Sequence, residues 1–149
     1  TKKNVKMPLI TRWYARTSLL YLLASLLVGI LIVMRSTLAL PPLFSALSPA
    51  YFHLFLVGWI TQLIFGVIFW LFPKPRNDGG PWERVAWAAW VLLNLGLLLR
   101  VVAEPLTVLR PGRIWGWGLV LSALLQWLAG MGLILVVWPR AYSRQRKQR

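Results

Sequence analysis

Residues 114–138 read IWGWGLVLSALLQWLAGMGLILVVW, an uncharged run held between Pro111-Gly112-Arg113 and Pro139-Arg140. About twenty helical residues, each rising about 1.5 Å, cross the ~30 Å hydrocarbon core of a bilayer, and this run is longer than that. It lacks the strict alternation of a barrel strand, so its backbone groups are satisfied in hydrocarbon only as a helix. Outward from it, three more stretches have the same character. Residues 16–34 are punctuated by Arg35. Residues 50–72 are entered through Pro41, Pro42 and Pro49 and closed by Pro73. Residues 82–103 follow the turn-forming cluster Asn77-Asp78-Gly79-Gly80-Pro81 and keep an uncharged core, 85–99, ahead of Arg100 and Glu104. Proline sets these limits because it cannot donate within a helix. The expected fold is an all-α integral membrane bundle of four transmembrane helices, one domain over 1–149, with basic tails at 1–15 and 139–149.

Composition agrees. The 149 residues are 58% hydrophobic, with ten Trp, a mean hydropathy of +0.65 and three acidic side chains. A soluble domain of this length would leave many of those groups wet. No Cys is present, which excludes a thiol enzyme, a disulfide scaffold and a Cys-ligated metal centre; the single His, His53, excludes a bis-His haem held by this chain alone. The apolar part of the first stretch is longer than the ~7–15 residues of a signal-peptide core and no small-residue cleavage site follows, so it is expected to stay in the mature protein. With Thr1 at its start, an initiator or a longer leader is expected ahead of it.

The net charge of +14 sits mainly at the ends. Lys and Arg number five before the first span, three in the loop 73–84 and five after the last span, against four on the other side (Arg35, Arg100, Arg110, Arg113). The positive-inside rule therefore puts both termini of this multi-pass chain in the cytoplasm. Trp13, Tyr14, Trp82, Trp115, Trp117, Trp138 and Tyr142 fall near the expected interfaces. The basic tail 140–149 suits anionic lipids, at about 1 kcal/mol per cation, and not nucleic acid.

Charges at membrane depth cost about 2.5–3.5 kcal/mol, so the few polar residues there are informative. Gly58, Gln62 and Gly66 recur at i, i+4 and i+8 and form a narrow helix-packing face with an amide to bridge it; Gln126 and Gly130 echo that spacing in the fourth span. The echo extends to Phe72-Pro73-Lys74 and Trp138-Pro139-Arg140. Arg100 and Glu104, spaced i, i+4, form an ion pair that with Asn94, and with His53 on the same side, makes a polar cluster. A haem reading needs a second axial ligand beside His53, and Met34 is the methionine on the correct side; a quinone reading uses the imidazole as hydrogen-bond partner, with Phe55 or Trp59 stacking. No catalytic constellation, metal-ligand cluster or phosphate loop is present, and Asp78 and Glu83 beside Arg76 and Arg84 read as loop pairing.

The run His53-Leu54-Phe55-Leu56-Val57-Gly58-Trp59-Ile60-Thr61-Gln62-Leu63-Ile64-Phe65-Gly66, with Trp70-Leu71-Phe72-Pro73, resembles a segment of the haem–copper oxidase subunit I superfamily. The resemblance covers about a seventh of the chain. It implies that His53 stands where that family places a low-spin haem ligand, and a setting in a bacterial inner membrane that carries respiratory or photosynthetic electron transfer. The family's catalytic subunit has many more spans and further His ligands, which this chain lacks, so oxygen reduction is not implied. The expected function is a non-catalytic subunit, not an enzyme by itself, packing against other integral subunits of an electron-transfer complex, with a quinol-oxidising complex among those the setting implies. Two rival readings are an electron-transfer protein that binds haem or quinone at His53, and a small transporter or proton channel built on Asn94, Arg100, Glu104 and His53.

Overall fold

A computed structural model describes residues 7–71 and 80–143; Lys2, Lys3, Lys6, Phe72-Pro73-Lys74, Arg76, Asp78 and the cations after residue 143 lie outside the described residues. The described chain is helical, with no strand among the described residues. Its elements are α1 (Leu9–Leu38), α2 (Leu43–Ala46), α3 (Ser48–His53), a π-helical segment (Leu54–Thr61), α4 (Gln62–Leu71), α5 (Pro81–Leu109) and α6 (Arg113–Ser143). Among the described residues, four helical stretches are long and apolar enough to cross a membrane: Leu9–Arg35, Leu43–Leu71, Pro81–Leu109 and Arg113–Pro139.

The helices outrun the expected boundaries. Arg12 and Arg16 lie inside α1, because exposed arginines can bury their stems and keep the guanidinium at the interface. Pro139 does not stop α6, nor Pro105 α5. Each removes a single donor from its helix, and the backbone otherwise continues. Tyr14 faces the bundle and not its surroundings: it is fully buried, and its hydroxyl donates to Ala86 O at 3.2 Å, tying α1 to α5.

Between α1 and α2 the chain turns at Ala39, whose φ of 48° and ψ of 42° are left-handed, while its N–H and that of Leu40 both donate to Arg35 O. Glycine favours this cap because its lack of a Cβ removes the steric penalty. Ala39→Gly is expected to raise stability by about 0.5–1 kcal/mol, read as a higher midpoint of thermal unfolding in detergent. A lowered midpoint would mean that the turn is held otherwise.

Two helix hairpins make up the bundle. In the first, α1 runs antiparallel to the Leu43–Leu71 rod. A Cβ on Gly58 would stand 2.8 Å from Tyr21 Cγ, and one on Gly66 would stand 3.1 Å from Tyr14 Cβ. The π segment explains why this contact line is straight. A π turn holds more than four residues and an α turn 3.6, so a step of four falls short of a turn in one and overshoots in the other. The opposed drifts keep Gly58, Gln62 and Gly66 on one line facing α1, and all three are buried.

The second hairpin, α5 against α6, is the most extensive interface. Small residues recur at seven, Ala89, Gly96 and Ala103 on α5 and Ser122 and Ala129 on α6 with Val136 following, the repeat of left-handed packing. A Cβ on Gly96 would stand 2.9 Å from Gln126 Cγ and 3.1 Å from Ser122 O. Gly118 faces Ala103 Cβ and Gly132 faces Ala89 Cβ, each at 3.4 Å. The two hairpins meet where α2 and α3 cover α5, and around Ile10, Tyr14, Phe69, Ala86, Ala89, Leu133 and Val136 at the other end.

Candidate functional site

Among the described residues, two separate groups of polar side chains inside the bundle are candidates for a site. The first is a hydrogen-bonded circuit through three helices. Gln62, the first residue of α4, is fully buried. Its Oε1 accepts from Thr17 Oγ1 of α1 at 2.8 Å and its Nε2 donates to Asn94 Oδ1 of α5 at 3.3 Å. Asn94 Nδ2 donates to Trp90 O at 2.7 Å, and Trp90 Nε1 returns to Thr17 Oγ1 at 3.2 Å. Thr17 Oγ1 also lies 2.8 Å from Trp13 O. The hydroxyl has one proton, and Trp13 O already accepts within the α1 ladder. Gln62 Oε1 is therefore the acceptor that needs it most. With that assignment every link has a donor and an acceptor, so the circuit closes on itself.

The second group lies toward the far end of α5. Arg100 Nε donates to Glu104 Oε1 at 2.7 Å across one helical turn. His53 Nδ1 is 3.8 Å from that same oxygen, and 3.0 Å from Pro49 O one turn back along α3. Only the second distance is a hydrogen bond, and since a carbonyl can only accept, Nδ1 carries a proton and donates to the backbone. Glu104 is 7% exposed and its Oε2 is buried with no hydrogen-bond partner. An unsatisfied buried oxygen of this kind costs about 1–3 kcal/mol or more. Pro105, next in the chain, supplies no N–H to relieve it.

Asn94 therefore separates from Arg100 and Glu104: its amide is committed to Gln62 and Trp90. Gln126 belongs to the α5–α6 seam, donating to Ser122 Oγ at 3.1 Å, while Ser122 Oγ donates to Gly96 O at 2.8 Å. Gly130 has nothing within 4 Å of where a Cβ would be; close approach on α6 occurs at Gly118 and Gly132. Thr17, Trp90, Ser122 and Gly96 carry contacts that hydropathy alone passes over. The seven-residue spacing of Ala89, Gly96 and Ala103 was a signal for the last of them.

Met34 lines an open apolar groove of about 600 Å³ between α1 and α3, with Gly29, Ile30, Val33, Tyr51 and Phe52. On α3 the groove-lining Ser48, Tyr51 and Phe52 share one face, and His53 lies on roughly the opposite side, toward α5. His53 and Met34 thus do not converge, and this pair does not fit the two axial positions of one haem. No group of three or more His, Cys, Asp or Glu among the described residues is arranged to hold a metal ion.

The chain matches no protein-family model, no curated protein and no solved structure.

Proposed function

We propose that this chain is a non-catalytic, multi-pass subunit of a bacterial inner membrane, which packs against other integral subunits of an electron-transfer complex and stabilises it. The observation that carries this reading is the closed circuit of Thr17, Gln62, Asn94 and Trp90. The polar groups of that circuit are spent on one another, as helix glue, and offer nothing to a substrate. A proton or solute route through Asn94 has no free group to use there. The electron-transfer setting rests on the resemblance of 53–73. Both termini lie inside, since four spans return the chain to its starting side and thirteen Lys and Arg on that side face four on the other.

One observation favours a second reading. The unpartnered Glu104 Oε2, beside Arg100 and His53, is an acceptor awaiting a donor, and a quinol hydroxyl is such a donor in a membrane. Haem at His53 would need its second ligand from another subunit.

A single preparation tests both. After gentle detergent extraction, co-migrating integral subunits in fixed ratio are expected, with no Soret band and no extractable quinone assigned to this chain. A stable monomer with no companion subunit defeats the first reading. Quinone that co-purifies and is lost in Glu104→Gln establishes the second.

A further inference from the structure

At the end of the bundle where α1 and α5 begin, three indoles meet edge to face. Ring centroids are 5.6 Å apart for Trp13 and Trp90, 5.9 Å for Trp87 and Trp90, and 6.4 Å for Trp13 and Trp87. Trp90 is anchored inward by its hydrogen bond to Thr17, and the Tyr14–Ala86 bond fixes the same crossing, so Trp13 and Trp87 form a firm, partly exposed platform. Three arginines lie close to it along the two helices. Arg12 and Arg16 flank Trp13 on α1, and Arg84 lies one turn before Trp87 on α5; all three are exposed.

Arg12 and Arg16 are like charges at i, i+4, which repel on a helix surface. The Arg100–Glu104 ion pair and the nearby His53 are at the other end. Glu83, the acidic residue of the first turn of α5, is itself engaged. Three guanidiniums beside an indole platform, at the end of apolar helices, are complementary to a phosphate at headgroup depth. Below Arg16 on the same face of α1 run Leu20, Leu23 and Leu27, 65%, 60% and 63% exposed, a track that suits an acyl chain.

We infer that Arg12, Arg16 and Arg84, set round Trp13 and Trp87, bind the phosphate of one anionic phospholipid whose acyl chain lies along Leu20, Leu23 and Leu27. This site is independent of the complex proposed above and of the groove at Met34.

The test uses the whole chain in nanodiscs of phosphatidylcholine and phosphatidylglycerol in equal parts, released into native mass spectrometry. One phosphatidylglycerol retained in preference to phosphatidylcholine is expected. Each Arg→Gln change should weaken that retention about fivefold, and the triple change R12Q/R16Q/R84Q on the order of a hundredfold, following about 1 kcal/mol per interfacial cation. The triple R35Q/R110Q/R113Q removes the same charge from the other end and should leave retention unchanged. Equal loss in both triples would reduce the site to diffuse attraction and overturn the inference, as would displacement by millimolar inorganic phosphate. Should the first triple lose its helical circular dichroism, R16Q alone decides through its fivefold effect.

Discussion

Gly96→Val is expected to lower the unfolding free energy of the bundle by about 3 kcal/mol, the upper part of the range for overpacking a close contact. The reason is local. The first added carbon would stand 2.9 Å from Gln126 Cγ, 3.1 Å from Ser122 O and 3.2 Å from Leu125 Cβ. Two of those three atoms are main chain or the root of a side chain, so they move only if α6 moves. Displacing α6 also stretches the bond from Ser122 Oγ to Gly96 O, now 2.8 Å. Gly130→Val is the matched control, since nothing lies within 4 Å of its added carbon, and it should cost well under 1 kcal/mol. Adding Gln126→Ala to Gly96→Val removes one of the three clashes, so it should recover less than half of the loss. The readout is the free energy of unfolding in mixed micelles; equal effects at positions 96 and 130 would mean that the α5–α6 seam is looser than these distances.

That seam marks where the sequence stopped being legible. Four membrane-crossing helices follow from length and hydropathy, because lipid imposes both. Their ends do not, because Arg12 and Arg16 at the interface and Pro139 within α6 are tolerated by a helix that already has most of its bonds. Gln62 and Asn94 stand out as polar groups at depth, since burying them costs free energy. Their partners do not: Thr17 sits at the head of an apolar stretch and Trp90 is one ring among ten Trp. The sequence places Asn94 on the same span as Arg100 and Glu104, which suggests one polar cluster. Helical phase and the arrival of Gln62 from another helix assign it elsewhere. The π segment Leu54–Thr61 has no signature in residue type, yet it aligns Gly58, Gln62 and Gly66 with α1.

Gln62→Glu is expected to be the most damaging near-isosteric change in the chain, costing about 3 kcal/mol, because it places a charge where no cation can answer it. Gln62 is wholly buried and its neighbours in the circuit are a hydroxyl, an amide and an indole. A carboxylate would also set an acceptor against Asn94 Oδ1, where Nε2 now donates at 3.3 Å. Gln62→Leu should cost less, about 1–1.5 kcal/mol: Thr17 can turn its proton to Trp13 O, leaving only Asn94 Oδ1 unpaired. Adding Asn94→Leu should then restore part of that loss, because the orphaned acceptor goes with it. The same three variants separate a packing device from a conduit. If the circuit holds helices together, Q62L/N94L keeps the chain folded and its companion subunits bound, while Gln62→Glu loses both. If it passes protons, Gln62→Glu accelerates their flux into reconstituted vesicles and Q62L/N94L abolishes it, an outcome that would replace the packing role proposed above with transport.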